Sequence, residues 1–298
     1  MRICMDWRSI KFDWNRARAF LVTAEEGSLS AAGRALGMAQ PTLGRQVEAL
    51  EQELGVVLFE RFGRGLQLTP AGHDLLHHVR AMGEAASRFS ISAYAQNDQI
   101  TGTVTISASD LYAGILLPPI LLELREAEPR ISVEIIADNE AADLMRREAD
   151  IAIRNFRPKE PDLVARQLRE ANARFYGSKS YVAEHGPFET PADLARADIL
   201  APGSGEEFIA ALKAIIPDLT QDNLRLGCSS YMAMWAMAKA GLGLALIDER
   251  VGDPDPDTVR VPPDFAPFTF PVWLVAHREI LRSRRLRFVF DFLAERLR

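Results

Sequence analysis

Apolar residues recur at helical spacing between positions 14 and 26 (Ala17, Phe20, Leu21, Ala24), and Gly27-Ser28 breaks the pattern, which predicts a first helix. Ser28 can cap a second, short helix through Leu36, because its hydroxyl accepts from the free amides of the first turn, and Gly37 supplies a left-handed stop. After Gly37-Met38-Ala39 a third helix is predicted, with Pro41 tolerated in its first turn and Leu43, Val47 and Leu50 on one face. Two short helices joined by a tight glycine-containing turn make a helix-turn-helix. Leu54–Phe59 and Leu66–Thr69 read as short strands on either side of the glycine-rich turn Arg61-Phe62-Gly63-Arg64-Gly65, a β-wing carrying two arginines. From Pro70 to about Asn97 the apolar positions Leu75, Leu76, Val79, Met82, Ala86 and Phe89 keep helical period, as in a connector or dimerisation helix.

At Gly102 the pattern changes. Val104, Ile106 and Ala108 alternate as a strand, Asp110–Glu126 reads as a helix, Ile131–Ile136 as a strand, Glu140–Glu148 as a helix and Asp150–Arg154 as a strand. A second set follows: Arg166–Ser178, a helix near Pro191–Arg196, Ile199–Ala201, a helix near Glu206–Ile216, a strand near Leu224–Cys228, a helix near Tyr231–Ala240 and a strand at Leu242–Ile247. The chain closes on a strand at Val272–Ala276 and a helix at Arg284–Leu297. Strands alternating with helices of this length imply βαβ units and a mostly parallel sheet. No fixed-period repeat is visible.

A chain of 298 residues is long enough for about two domains. At 48% hydrophobic and 26% charged its composition is that of a globular protein, and no apolar run approaches the roughly 20 residues of a membrane span. Met1–Lys11 is broken by charges and carries no secretory signal, so a cytoplasmic protein is expected, and its two cysteines, Cys4 and Cys228, form neither a disulfide framework nor a zinc pattern. The net charge of −6 argues against coating nucleic acid through bulk positive charge, so any DNA binding must be local.

The run from Phe20 to Gly72 resembles the LysR-type transcriptional regulators. The resemblance is carried by Phe20-Leu21, Gly27-Ser28-Leu29-Ser30-Ala31-Ala32, Leu36-Gly37, Gln40-Pro41-Thr42, Arg45-Gln46-Val47, Leu50-Glu51, Leu54-Gly55, Leu58-Phe59-Glu60-Arg61 and Leu68-Thr69-Pro70-Ala71-Gly72. It continues more weakly at Gly102–Ile106, Leu117-Pro118-Pro119, Asp150–Arg154 and Gly241-Leu242-Gly243, and so covers nearly everything from Phe12 onward. Residues 1–11 lie outside it as an N-terminal extension; the resemblance implies a winged helix-turn-helix DNA-binding domain (12–72), a linker and dimerisation helix (73–99), and an α/β effector-binding domain (100–298). That last domain is expected to have two subdomains like those of periplasmic binding proteins, at about 100–164 with 266–298 and at about 165–265, with the effector in the cleft between them. The partners implied are double-stranded operator DNA, a small-molecule effector, an anionic one included, further copies of the chain in a dimer or tetramer, and RNA polymerase; no cofactor, metal or catalytic group is implied. Gly44 and Ala39 depart from the family pattern, which often has Ser there; the first removes a DNA contact and the second an N-cap worth roughly 1 kcal/mol.

The residues agree physically. Gln40, Pro41, Thr42, Arg45 and Gln46 lie in the N-terminal half of the third helix, where helix-turn-helix proteins meet base edges, glutamine pairing with adenine and arginine with guanine. Ser28, Ser30 and Arg34 can touch phosphates, and Arg64 can enter or flank the minor groove. The alternative is that Gln40 and Thr42 are capping-turn residues and Arg34 and Arg45 a solvated face.

For the effector, Ser107 and Ser109 end a strand and open a helix whose start can hold an anion, Arg154 follows a strand and can pair with a carboxylate, and Ser204 and Ser229 precede two further helices. These serines read equally as N-caps and Arg154 as a structural ion pair. His73, His77 and His78 read as a solvated helix face rather than a metal site, Cys228 as a buried thiol rather than a redox one, and Met232, Met234, Trp235 and Met237 as packing. The runner-up reading, an enzyme or transport-type binding protein built on the α/β domain, has no phosphate loop, G-x-S-x-G elbow or metal-spaced histidine set in its favour. A regulator that has lost its ligand is the third.

Overall fold

The computed structural model describes residues 11–62, 65–95, 100–139, 144, 148–203 and 205–298, with the backbone alone at 61, 62, 65, 91–95 and 206. The chain divides into two compact units, residues 1–90 and 91–298.

In the first unit, α1 (Trp14–Glu26) starts at Asp13, whose carboxylate accepts from the Asn15 amide at 2.6 Å, and stops at Gly27 with φ 69°. Helix α2 (Leu29–Leu36) is capped by Ser28, which accepts from the Ala31 amide at 3.2 Å, and ends at the left-handed Gly37. The turn to the next helix is tight: a Cβ on Gly33 would stand 2.8 Å from the Met38 carbonyl oxygen, so no larger residue fits without displacing backbone. Helix α3 (Gln40–Leu54) carries Pro41 in its first turn and ends at the left-handed Gly55.

Sequence pattern ended this helix at Leu50 and began a strand at Leu54. The helix instead runs one turn further, because Gly55 is its C-cap, and the strand β1 is Phe59–Phe62, paired antiparallel with β2 (Gly65–Leu68). Glu51, in that extra turn, accepts from the amides of Leu58 (2.6 Å) and Phe59 (3.2 Å) and ties the wing to α3. Phe20 meets Phe59 edge-on at 5.4 Å in a core shared with Leu50, Leu58, Leu76 and Val79. Helix α4 (Pro70–Ala95) has 26 residues, within about two of the expected length.

The second unit is built on one nine-stranded sheet. One end is parallel, with β3 (Gly102–Ala108) between β4 (Ile131–Ala137) and β5 (Ile151–Arg154). The other end is also parallel, with β7 (Ile199–Pro202) between β8 (Leu226–Cys228) and β9 (Leu244–Asp248). Two long strands join the ends. β6 (Leu163–Ser178) and β11 (Phe268–His277) run antiparallel to each other; β11 pairs with β5 and β6 with β9, while β10 (Thr258–Arg260) pairs beside β6. The expectation of a mostly parallel sheet therefore holds within each lobe and fails between them, where the chain must cross and return.

Around β3 a core of Val104, Ile106, Leu117, Leu274, Leu286 and Leu293 brings together α5 (Leu117–Ala127) and α10 (Arg284–Arg296). The second lobe packs α6 (Lys179–His185), α7 (Glu206–Lys213), α8 (Tyr231–Lys239) and the short α9 (Glu249–Gly252) on its strands. The helix expected from Asp110 is present, but Tyr112–Leu116 is a π-turn before α5. Leu111 from this segment is buried with Met234 and Trp235 of α8, so the segment belongs to both lobes. Gly114 allows the approach, since a Cβ there would collide with the Met232 side chain. The helix expected at Glu140–Glu148 lies outside the described residues but for Leu144 and Glu148.

Candidate DNA interface and ligand cleft

In the first unit Gln40, Pro41, Thr42 and Arg45 are exposed on the leading turns of α3, Gln46 is half-buried, and Leu43, Val47 and Leu50 face the core. The exposed edge follows from the register of those three apolar residues: burying them leaves the other face for solvent or a partner. Ala39 supplies no side-chain cap and the first turn carries no acidic group, so the positive helix end is unneutralised by its own residues. Ser30 of α2 donates to the Gln40 side-chain oxygen at 3.0 Å and holds that amide in place, while the Arg45 Nε donates to the Pro41 carbonyl at 3.4 Å. Ser30 and Arg34 are exposed, and Ser28 is engaged as the α2 cap. Arg64 lies outside the described residues.

In the second unit a cleft opens at the C-terminal end of β3. It has a polar chamber of about 200 Å³ lined by Asp138, Asn139, Arg154 and Asn155, and an apolar chamber of about 290 Å³ lined by Phe208, Met234, Leu246, Phe268 and Phe270. Ser109, Tyr112, Asn155 and Tyr231 line both and form the junction. The position obeys the rule for open α/β sheets, which bind ligands beyond the carboxyl ends of their strands.

Ser109 lies at the cleft, where its hydroxyl also accepts from the Tyr112 amide at 3.4 Å. Arg154 reaches the polar chamber, but Nη1 donates to the Ser107 hydroxyl (3.3 Å) and the Ile153 carbonyl (3.2 Å); burial lowers its affinity for a proton and the nearby Asp138 charge opposes that. Ser107 is fully buried beneath it. Ser229 is exposed and presents its carbonyl to Asn139 at 2.7 Å; the α8 cap is its neighbour Ser230. Ser204 lies outside the described residues, and α7 is capped by Gly205.

Other functional candidates were not singled out in the sequence. Asp248, at the end of β9, accepts from Arg169 Nη2 at 2.6 Å and from the Tyr112 hydroxyl at 2.8 Å; the Asp248 side chain is buried (2% exposed) and that of Arg169 nearly so (10%). Burial, and then the Asp248 charge, push the Tyr112 hydroxyl well above the usual tyrosine range. At the rim, Ser230 donates to Asp110 at 2.5 Å, and the Asp110 amide donates to Asn139 at 3.3 Å. Tyr112, Asp110 and Asn139 come from the first lobe, Asp248 and Ser230 from the second, and Arg169 from a crossing strand, so no local pattern joins them. The one local signal was Asp248 itself, an acid ending an apolar strand and capping the helix behind it.

A helix-turn-helix with an exposed third helix, and a two-lobed α/β unit with a cleft at its strand ends, define a ligand-responsive DNA-binding protein. The comparisons agree: residues 14–73 match the model for "Bacterial regulatory helix-turn-helix protein, lysR family", and residues 97–298 match that for "LysR substrate binding domain". The chain belongs to the LysR family of transcriptional regulators. It is 27% identical over 291 residues to the HTH-type transcriptional regulator CrgA of Neisseria meningitidis serogroup C, covering 93% of this chain and 95% of that one. It is 28% identical to the regulator ClcR of Pseudomonas putida, covering 80% and 83%. Its fold is similar to that of full-length AphB, a Vibrio cholerae virulence activator, with a TM-score of 0.63 at 19% identity, covering 95% and 99%. Among the described residues no helix is long and apolar enough to cross a membrane.

Proposed function

We propose that this regulator reads operator DNA with Gln40, Thr42, Arg45 and Gln46 in the major groove. Pro41 shapes the helix start, Ser28, Ser30 and Arg34 lie along the phosphates, and Arg64 of the wing lies at or beside the minor groove. The observation that carries the reading is the exposed, uncapped start of α3, whose Gln40 amide is held by Ser30. The domain limits that go with it are 12–72 for DNA binding, 73–99 for the dimerising linker and 100–298 for the effector domain. Dimers or tetramers bind an interrupted palindrome in the cytoplasm and contact RNA polymerase there; the protein binds DNA and an effector and catalyses no reaction. The effector occupies the cleft at Ser109, beside Arg154 and Ser229, with Ser107 behind and Ser204 from the second lobe.

Mobility-shift titration of the protein's own promoter region tests the DNA reading. Arg45→Ala and Gln40→Ala are each expected to weaken binding by about 1–3 kcal/mol and to relax sequence preference. Arg34→Ala is expected to weaken all sequences alike and to lower the salt slope by about one. Unchanged binding in both α3 variants would remove the recognition-helix assignment.

A further inference from the structure

We propose that the cleft takes an electroneutral molecule, a single substituted ring with a hydrogen-bonding group at one end; this rests on the reading of the α/β unit as the effector domain. The apolar chamber, about 290 Å³, is faced by Phe208, Phe268 and Phe270 with Met234 and Leu246. A dry apolar cavity of roughly 150 Å³ suffices for benzene, so this one accommodates a ring with a substituent. The substituent reaches the junction, where the side-chain polar groups are the neutral Ser109, Asn155 and Tyr231, together with the Tyr112 hydroxyl, which already donates to Asp248.

The charges decide the class. Among the described residues, the charged groups lining the two chambers are Asp138, Arg154 and Asp248. Asp248 is already matched by Arg169 behind it. The Arg154 guanidinium is engaged by Ser107 and the Ile153 carbonyl and sits in the field of Asp138. The helix start at the cleft carries its own carboxylate, Asp110, held by Ser230, and its Asp110, Tyr112 and Ala113 amides already donate to Asn139, Ser109 Oγ and the Ser109 carbonyl. A ligand carboxylate would therefore approach Asp138 and Asp110 and share a guanidinium already engaged by Ser107 and the Ile153 carbonyl. An ammonium group would find carboxylates that are already partnered. Either ion loses its hydration without replacement, a cost that a neutral amide, hydroxyl or carbonyl largely escapes. A neutral effector is thus favoured over the anionic one that the helix starts also admit.

Benzamide, benzoate and benzamidinium have nearly the same shape and differ in charge, which makes them a direct test. Ligand-observed NMR titration of the full-length chain near neutral pH is expected to show saturable benzamide binding, with each ion at least about tenfold weaker. Equal or tighter binding of either ion would overturn the proposal, as would the absence of saturable benzamide binding. Ser109→Ala and Asn155→Ala are expected to weaken benzamide several-fold while retaining the promoter shift; benzamide binding untouched by both would place the probe elsewhere and likewise overturn it. The promoter shift of the unliganded chain is read separately, so failure of the DNA reading and failure of the ligand class are distinguishable.

Discussion

Replacing Asp248 by Asn removes one charge from the buried pair between the lobes with almost no change of shape. The carboxylate has three donors: Arg169 at 2.6 Å, the Tyr112 hydroxyl at 2.8 Å and the Arg250 amide at 3.0 Å. The first two meet Oδ2 and the third Oδ1, so an asparagine oxygen in the Oδ2 position can still accept from Arg169 and Tyr112, while its NH2 replaces the acceptor of the Arg250 amide; the main loss is electrostatic, with one backbone hydrogen bond lost beside it. The Arg169 guanidinium is then left buried without a counter-charge, and its Nε already lacks a hydrogen-bond partner. Breaking a buried pair by removing one partner costs about 3–5 kcal/mol, and the retained hydrogen bonds put this case at the lower end, about 3 kcal/mol. For a unit of this size that is a fall in Tm of roughly 6–12 °C. Differential scanning calorimetry measures it, and the double variant Asp248→Asn with Arg169→Met should recover most of the loss, because the stranded charge is gone. A fall of less than about 2 °C in the single variant, or no recovery in the double, would refute the view that this pair locks the lobes.

Tyr112 stays protonated in the folded chain above the ordinary tyrosine value, about 10. Its contribution is complete below that pH and is lost as pH rises beyond it, since the unfolded chain then releases the proton first; Tyr112→Phe should make urea-unfolding stability fall less steeply in strong alkali. Gly114→Ala should change thermal stability by less than about 1 kcal/mol, because its methyl meets only the flexible end of Met232, which can swing aside, and the helical turn gains an alanine; a loss of more than about 2 kcal/mol would show that Met232 is held rigidly there. Glu51→Ala should destabilise the DNA-binding unit by about 2 kcal/mol, visible as faster amide exchange at Leu58 and Phe59, because two buried-edge donors lose a charged acceptor. Ala39→Ser should add about 1 kcal/mol by supplying the absent cap, read as a rise in Tm.

What the sequence determined by itself was everything set by near neighbours: the helices around Leu43, Val47 and Leu50, the caps at Ser28 and Gly37, the wing, the long α4 and the alternation of strands and helices. These are short-range because capping and apolar periodicity act over one to a few turns. Even there the end of α3 moved, since Gly55 could be read as strand or stop until its backbone conformation was known. Only the tertiary structure decided the antiparallel crossing of β6 and β11, the π-turn at Tyr112 and the meeting of Tyr112, Arg169 and Asp248. A buried charge is stable only beside its partner, and partners 79 residues apart, as Arg169 and Asp248 are, leave no local trace. The serines at the helix starts show the same limit: sequence marked them as caps or ligand contacts alike, and packing put Ser107 under Arg154, Ser109 on the cleft and Ser230, rather than Ser229, at the head of α8.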